Sequence, residues 1–335
     1  MHILKWFVFP LLLLGLLFSD VEQDPLPSWN SGPAKAKIIQ FIHDVTQEGG
    51  KDYIPVEDRI VAFDEDGTLW VEQPIYTEFF YAIESIKIMA SQHPEWQTKE
   101  PFKTILAGDL EGIKNFYPYE MVELMAATHA GMALDQFHEK VAAWLKSALH
   151  PRYKRPFTDL VYQPMLEVME LFRKHEFQIY IVSGGGQEFM RVFAEGLYQL
   201  PPSHIIGTTG KLKYAYNNGH PQLFKLPELL FINDKQGKPE GINLMIGKRP
   251  VAAFGNSIGD QQMLEWTQEN KGRTLEYLVH HDDSIREYAY GPNSKVGTFS
   301  TALMDEAKEK GWEVISMKND WKVIFPWELE DKKRP

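Results

Sequence analysis

The chain has 335 residues, 44% of them hydrophobic and 13% aromatic, enough to build one large globular domain or two. A formal net charge of −11 with no long basic run excludes a phosphate-backbone binding surface, so nucleic acid is not an expected partner. The absence of cysteine excludes disulfides, thiol catalysis and cysteine-ligated zinc.

The N-terminus opens with His2 and Lys5, then an apolar run from Trp6 to Phe18. That run falls short of the roughly 20 residues that span a bilayer. With its basic start, residues 1–19 read as a secretory signal. No Ala-x-Ala precedes Ser19, so an uncleaved N-terminal anchor is the alternative, and the only membrane contact expected is through this segment. Residues 20–32, rich in Pro, Asp, Ser and Gly, read as a tether. Ile38, Phe41, Ile42 and Val45 give a helical stripe over residues 33–47, closed by Gly49-Gly50, so residues 20–58 form a linker and one helix. Residues 59–64 are the first core strand. From Trp70 to about Pro156 the pattern is helical, with Phe79, Phe80 and Ile83, then Met121, Leu124 and Met125, then Phe137, Val141 and Trp144.

Pro164 suits the first turn of a helix running to His175. Residues 177–182 are a strand that stops at Ser183-Gly184-Gly185-Gly186, and a helix is expected from Gln187 to about Gly196. Residues 201–234 read as loops and short strands, residues 241–247 as a short helix, residues 250–254 as a strand and residues 275–279 as another. Strands alternating with helices predict an α/β fold built on a parallel sheet.

The chemistry gathers at strand ends. The run Ile60-Val61-Ala62-Phe63 leads into Asp64-Glu65-Asp66-Gly67-Thr68. Alternate residues share a strand face, so Asp64 and Asp66 leave the strand end together. Carboxylates so close repel unless a cation or a shared proton intervenes. Such a pair can hold Mg²⁺, offer one oxygen as nucleophile and use the partner as acid and base. The alternative is a solvated Asp-Gly turn. Ser183 and the glycines after it form a possible anion site; the full Gly-x-Gly-x-x-Gly spacing of a dinucleotide loop is missing. Lys238, ahead of the next helix, is by itself an ordinary surface charge, as Lys235 and Lys248 would be.

Taken in order, Asp64-Glu65-Asp66-Gly67-Thr68, Ser183, Lys238 and Gly255-Asn256-Ser257-Ile258-Gly259-Asp260 resemble the four motifs of haloacid dehalogenase superfamily phosphatases. The resemblance implies a Rossmann-like parallel sheet with helices on both faces. The core would be residues 59–76 and 156–335, with an inserted α-helical cap over residues 77–155, as in the phosphoserine-phosphatase-like branch. It implies Mg²⁺-dependent hydrolysis of a small phosphorylated metabolite through an aspartyl-phosphate. Asp64 would be nucleophile and Asp66 acid and base. Ser183, Gly184 and Lys238 would bind phosphate, and Asp64, Asp66, Asp260 and Asn256 would hold the metal. Asn256 departs from the pattern, which has an acidic residue there; an amide oxygen can ligate Mg²⁺ but brings no charge. The text around Trp70-Val71-Glu72-Gln73-Pro74 and Gly255-Asn256-Ser257 further resembles exported bacterial members, which implies a periplasmic location.

Within the superfamily a phosphotransferase or mutase is the alternative, and a dehalogenase is disfavoured by Asp66. Outside enzymes, a non-catalytic binding protein on the same fold is the rival, with Asn256 as its foothold. His280-His281-Asp282-Asp283 reads as a polar strand-end turn, and Arg152, Lys154 and Arg155 as solvated charges or as a grip on an anionic substrate group.

Overall fold

The computed structural model describes residues 24–116 and 118–331, so the segment read as a signal or anchor lies outside the described residues. Seven strands form one sheet: β1 Ile60–Phe63, β2 Gln178–Gly186, β3 Ile205–Asn217, β4 His220–Phe231, β5 Ala252–Gly255, β6 Leu275–His280 and β7 Glu313–Ser316. Their order is β4-β3-β2-β1-β5-β6-β7. All pairs are parallel except β3 with β4. This is the expected α/β architecture, with β1 at its centre.

Strand alternation divides the core into two layers. Val61, Phe63, Phe254 and Tyr277 face the helices Pro33–Thr46 and Gln163–Lys174, where they meet Ile38, Phe41 and Phe172. Ala62, Ala253 and Leu278 face the other way, onto Ile242, Met263 and Leu303 of the helices Gly237–Met245, Gln261–Gln268 and Thr301–Lys310. Phe63 stacks on Phe254 with ring centroids 4.6 Å apart, and Phe172 meets Phe63 edge-on at 6.3 Å. Full burial of each ring contributes roughly 1.5–3 kcal/mol. That packing clamps the strand that ends at Asp64.

The stretch between β1 and β2 is helical, as expected, with its longest helices at Thr77–Met89, Pro118–His129 and Leu134–Ser147. Ile83, Ile86, Trp96, Phe102, Ile105 and Ile113 form an apolar cluster apart from the two sheet layers, joined by Val296, while Phe137, Val141, Trp144 and Leu145 pack into the main core.

Three expectations are corrected. Residues 201–234 are not loops with short strands but a long hairpin, turned by Asn218 and Gly219, both at positive φ (49° and 81°). Two successive residues of that kind define the type I′ turn that matches strand twist. The β2 strand does not stop at Ser183: it runs on to Gly186, which pairs with Thr208 across an irregularity in the ladder. The helix expected over 187–196 is two short pieces, Gln187–Met190 and Ala194–Tyr198, so a helix dipole adds little at the glycine turn. Among the described residues, no helix is long and apolar enough to cross a membrane.

Candidate active site

The site sits at the C-terminal ends of β1, β2 and β5, where a parallel sheet presents its loops. Asp64 follows β1 directly and is held to the sheet by its N–H, which donates to the Phe254 carbonyl at 2.9 Å. Its Oδ1 accepts from Lys238 Nζ at 2.5 Å, and the same Nζ donates to Asp260 Oδ1 at 2.5 Å. Lys238 lies in the first turn of its helix rather than ahead of it, and is only 2% exposed. The helix can start this close to the sheet because residue 237 is glycine: a Cβ there would meet the Ile232 carbonyl oxygen at 2.1 Å. Asp260 spends its other oxygen on the N–H groups of Asn256 (2.9 Å) and Ser257 (3.0 Å). Both oxygens of Asp260 are therefore engaged within the protein.

The loop after Asp64 is a tight turn. Thr68 and Leu69 N–H donate to the Glu65 carbonyl, and Gly67 N–H donates to the Trp70 carbonyl at 2.8 Å. Gly67 has φ 77°, and a Cβ there would lie 2.0 Å from Asn256 Nδ2, so only glycine fits. Glu65 turns away and accepts from the Tyr198 hydroxyl at 2.7 Å. Asp66 turns toward the site; its Oδ1 accepts from Trp70 Nε1 at 2.7 Å. Burial, against the Trp70 hydrogen bond and helped by the Glu78 charge, pushes the Asp66 carboxyl up to about 7. Burial and the neighbouring Asp260 charge also raise Asp64, and Lys238 opposes both. Against the burial that disfavours its charge, Asp260 and Asp64 hold Lys238 above its ordinary range.

Asp64, Asp66, Ser183, Gly184 and Lys238 all line one cavity of about 580 Å³. Ser183 is buried at 1% exposure, and its Oγ accepts from Gly185 N–H at 3.1 Å. Asn256 and Asp260 are buried behind that wall. Asn256 Oδ1 accepts only from Thr68 Oγ at 3.3 Å, while its Nδ2 donates to Glu72 Oε1 at 2.7 Å.

The donor set fits a hard divalent cation. Its side-chain donors are oxygens: the carboxylates of Asp64 and Asp66 in the cavity and Asn256 Oδ1 behind its wall. Asp64 and Asp260 share one ammonium, and the carboxyls of Asp66 and Glu72 lie close enough to Asp64 to feel its charge. Glu72 is raised by burial and by the charges of Asp66 and Asp64. Among the described residues, no three His, Asp or Glu side chains converge as a ready metal cage. Asp260 bonds Lys238 with one oxygen and the N–H groups of its own turn with the other.

Several supporting residues went unread in the sequence. His281 Nε2 sits 2.7 Å from the Gly67 carbonyl oxygen, and its Nδ1 sits 3.0 Å from Glu287. The Tyr290 hydroxyl donates to Glu72 Oε1 at 2.6 Å. A carbonyl, an imidazole–carboxyl pair and a phenol brought together from distant parts of the chain leave no local pattern beyond the His280-His281 pair. Arg152, Lys154 and Arg155 do not reach the cavity. Arg152 donates to the carbonyls of Ser284 (3.1 Å) and Ile285 (3.0 Å), and Arg155 lies over the Trp327 ring at 4.6 Å.

The haloacid dehalogenase-like hydrolase profile matches residues 61–265, well over half of the chain. The chain belongs to that family. No curated protein matches it. Among solved structures, it is similar to a Bordetella pertussis Tohama I protein of unknown function, at 15% identity over 77% of this chain and 98% of that one, with a TM-score of 0.49. It is also similar to a phosphoserine phosphohydrolase-like protein from Francisella tularensis subsp. tularensis SCHU S4, at 16% identity over 82% of this chain and 99% of that one, with a TM-score of 0.41.

In this family member the Asp64–Lys238–Asp260 bridge carries a stability consequence. Lys238→Met leaves two buried carboxylates facing each other without a cation, at a cost of about 3–5 kcal/mol. The Asp64 carboxyl, raised by burial and by the Asp260 charge, then lacks the ammonium that opposes that shift, so the folded state binds more protons there. Stability should rise as pH falls from 7 toward 4. Urea denaturation of metal-free protein across that range checks this; a deficit under about 1 kcal/mol at pH 7 would show that the bridge is dispensable.

Proposed function

We propose that this hydrolase-family chain is a Mg²⁺-dependent phosphomonoester hydrolase working through an aspartyl-phosphate. One observation carries the reading: Asp64 has one oxygen fixed on Lys238 and the other uncommitted, beside a carboxyl poised near 7, in a cavity that also holds Ser183.

Asp64 Oδ2 attacks phosphorus, the phosphorus–oxygen bond to the leaving alcohol breaks, and Asp66 delivers a proton to that departing oxygen. Asp66, now a carboxylate, takes a proton from water as the water attacks the aspartyl-phosphate. The phosphorus–Asp64 bond breaks and inorganic phosphate leaves. Trp70 Nε1–H holds one Asp66 oxygen, so the other faces the reaction. The Ser183 hydroxyl, the Gly184 turn and Lys238 offset charge on the phosphoryl oxygens. Bound Mg²⁺ would supply Lewis-acid stabilisation of the phosphoryl group, held by Asp64, Asp66 and Asn256. Residues 77–155 are proposed as the cap, since they carry an apolar cluster apart from the sheet layers and close over the cavity with Phe79 and Met125.

Phosphate release from a panel of phosphomonoesters tests the reading. Asp64→Asn and Asp66→Asn should each lower turnover by about a thousandfold or more. EDTA should abolish turnover and Mg²⁺ restore it. Near-normal turnover in Asp64→Asn rules out the covalent route. We also propose export, supported by the basic start and short apolar run of residues 1–19. N-terminal sequencing of protein from the cell envelope should find the segment removed or anchored; a cytosolic chain beginning at Met1 contradicts it.

A further inference from the structure

The cavity continues beyond the catalytic groups, and its outer half differs in character. The walls there are Phe79, Met121, Val122, Met125, Leu226 and Leu229. The first four come from the helices at 77–89 and 118–129, the last two from β4. The hairpin and the helical insertion are joined: Gly131 N–H donates to the Lys225 carbonyl at 2.8 Å, and Lys225 N–H donates to the Met132 carbonyl at 3.0 Å. The lid therefore has two parts stitched by backbone hydrogen bonds, and the apolar space lies between them.

Size and charge restrict what fits. A cavity of about 580 Å³ is in the range that encloses a mid-sized organic molecule, and is roomy for a phosphate ester of two or three carbons. Away from the catalytic groups Glu78, Glu228 and Asp234 line it against Lys225 and Lys295, so a second anionic group on the ligand meets more like charge than opposite charge. Glu78 is fixed by Gly186 N–H at 2.7 Å, and Glu228 stands on the hairpin side. Among the described residues, a buried polar atom of the far wall without a hydrogen-bond partner is His129 Nε2, on a ring 7% exposed that stacks with Tyr81. Burial, with the Lys225 charge beside it, holds that imidazole neutral, down to about 3, while its hydrogen bond to the Met125 carbonyl opposes the shift. A neutral imidazole whose Nε2 has no partner can offer that nitrogen to a ligand.

We propose that the substrate is the phosphomonoester of a mid-sized, largely apolar alcohol that carries no second negative charge, its polar end forming a hydrogen bond with His129. This rests on the phosphomonoesterase reading above for the phosphate end only. A small zwitterionic leaving group would leave most of the apolar wall unfilled, and a bisphosphate would place its second dianion among Glu78, Glu228 and Asp234.

The test separates binding from turnover. Full-length protein with Mg²⁺ is titrated calorimetrically with ethylphosphonate, 3-phenylpropylphosphonate and propane-1,3-bisphosphonate, and phosphate release is measured from the matching phosphate esters, whose leaving alcohols are alike. The phenylpropyl compound should bind at least tenfold tighter than the ethyl compound, and the bisphosphonate no tighter than the ethyl compound. Ala126→Trp, which fills the space, should shrink the phenylpropyl-to-ethyl ratio about tenfold. Glu228→Lys should improve the bisphosphonate severalfold relative to the ethyl compound. Equal binding of the first two ligands, preference for the bisphosphonate, or no binding at all overturns the proposal. Ranked binding without phosphate release sustains the ligand class and refutes the hydrolase reading; release with no size preference does the reverse.

Discussion

Lys238 brings one ammonium into the interior between two carboxylates, Asp64 and Asp260, at 2.5 Å from each. Three chain segments meet there: the end of β1, the first turn of the helix at 237–245, and the turn after β5. Removing charges from water is expensive, and only close mutual contact offsets the cost. The geometry around Lys238 is therefore narrowly determined. Gly237 lets the helix approach, Asp260 ties Lys238 to the N–H groups of its own turn, and the Phe63–Phe254 stack fixes the strands beneath. The same bridge leaves one Asp64 oxygen uncommitted and oriented. The bridge that stabilises the fold thus also sets the orientation of the Asp64 carboxyl.

A second layer holds the turn that carries Asp66. His281 and Glu287 brace the Gly67 carbonyl, and Tyr290 and Asn256 both bond Glu72. All but Glu72 and Asn256 belong to the segment after β6, beyond the stretch matched by the family profile. Asn256 consequently does more than stand in for a carboxylate. Its amide nitrogen donates to buried Glu72, a bond that an aspartate would turn into a repulsion between like charges. The residue that looks like a lost metal ligand in the sequence is matched to its neighbour in the structure.

What could be read from the sequence was what local pattern encodes. The run Ile60 to Phe63 before Asp64 marked the central strand, and the strand–helix alternation marked the parallel sheet. Asp64, Asp66, Ser183, Gly184 and Lys238 were legible because strand ends bring such residues to one edge, and they do line one cavity. The hairpin was missed because its strands are solvated on much of both faces, with Tyr214, Tyr216 and Leu230 exposed, so no clean alternation survives. The turn signal at Asn218-Gly219 was present and went unused. His281 and Tyr290 could not be found by spacing, since Gly67 and Glu72 lie more than two hundred residues away in the chain, and Glu287 joins the site only through His281. The bonds of Asp260 to Lys238 and to its own turn were also hidden, because a carboxylate's partners are settled only in three dimensions.

The central claim is that Asp64 accepts the phosphoryl group. Its most direct test is a single turnover quenched with borohydride, which reduces an acyl phosphate to the alcohol, followed by mass spectrometry of the peptide spanning Asp64. The account predicts homoserine at position 64 alone, formed only when substrate and Mg²⁺ are both present. An unmodified Asp64 during active turnover, or reduction at another carboxylate, would contradict it.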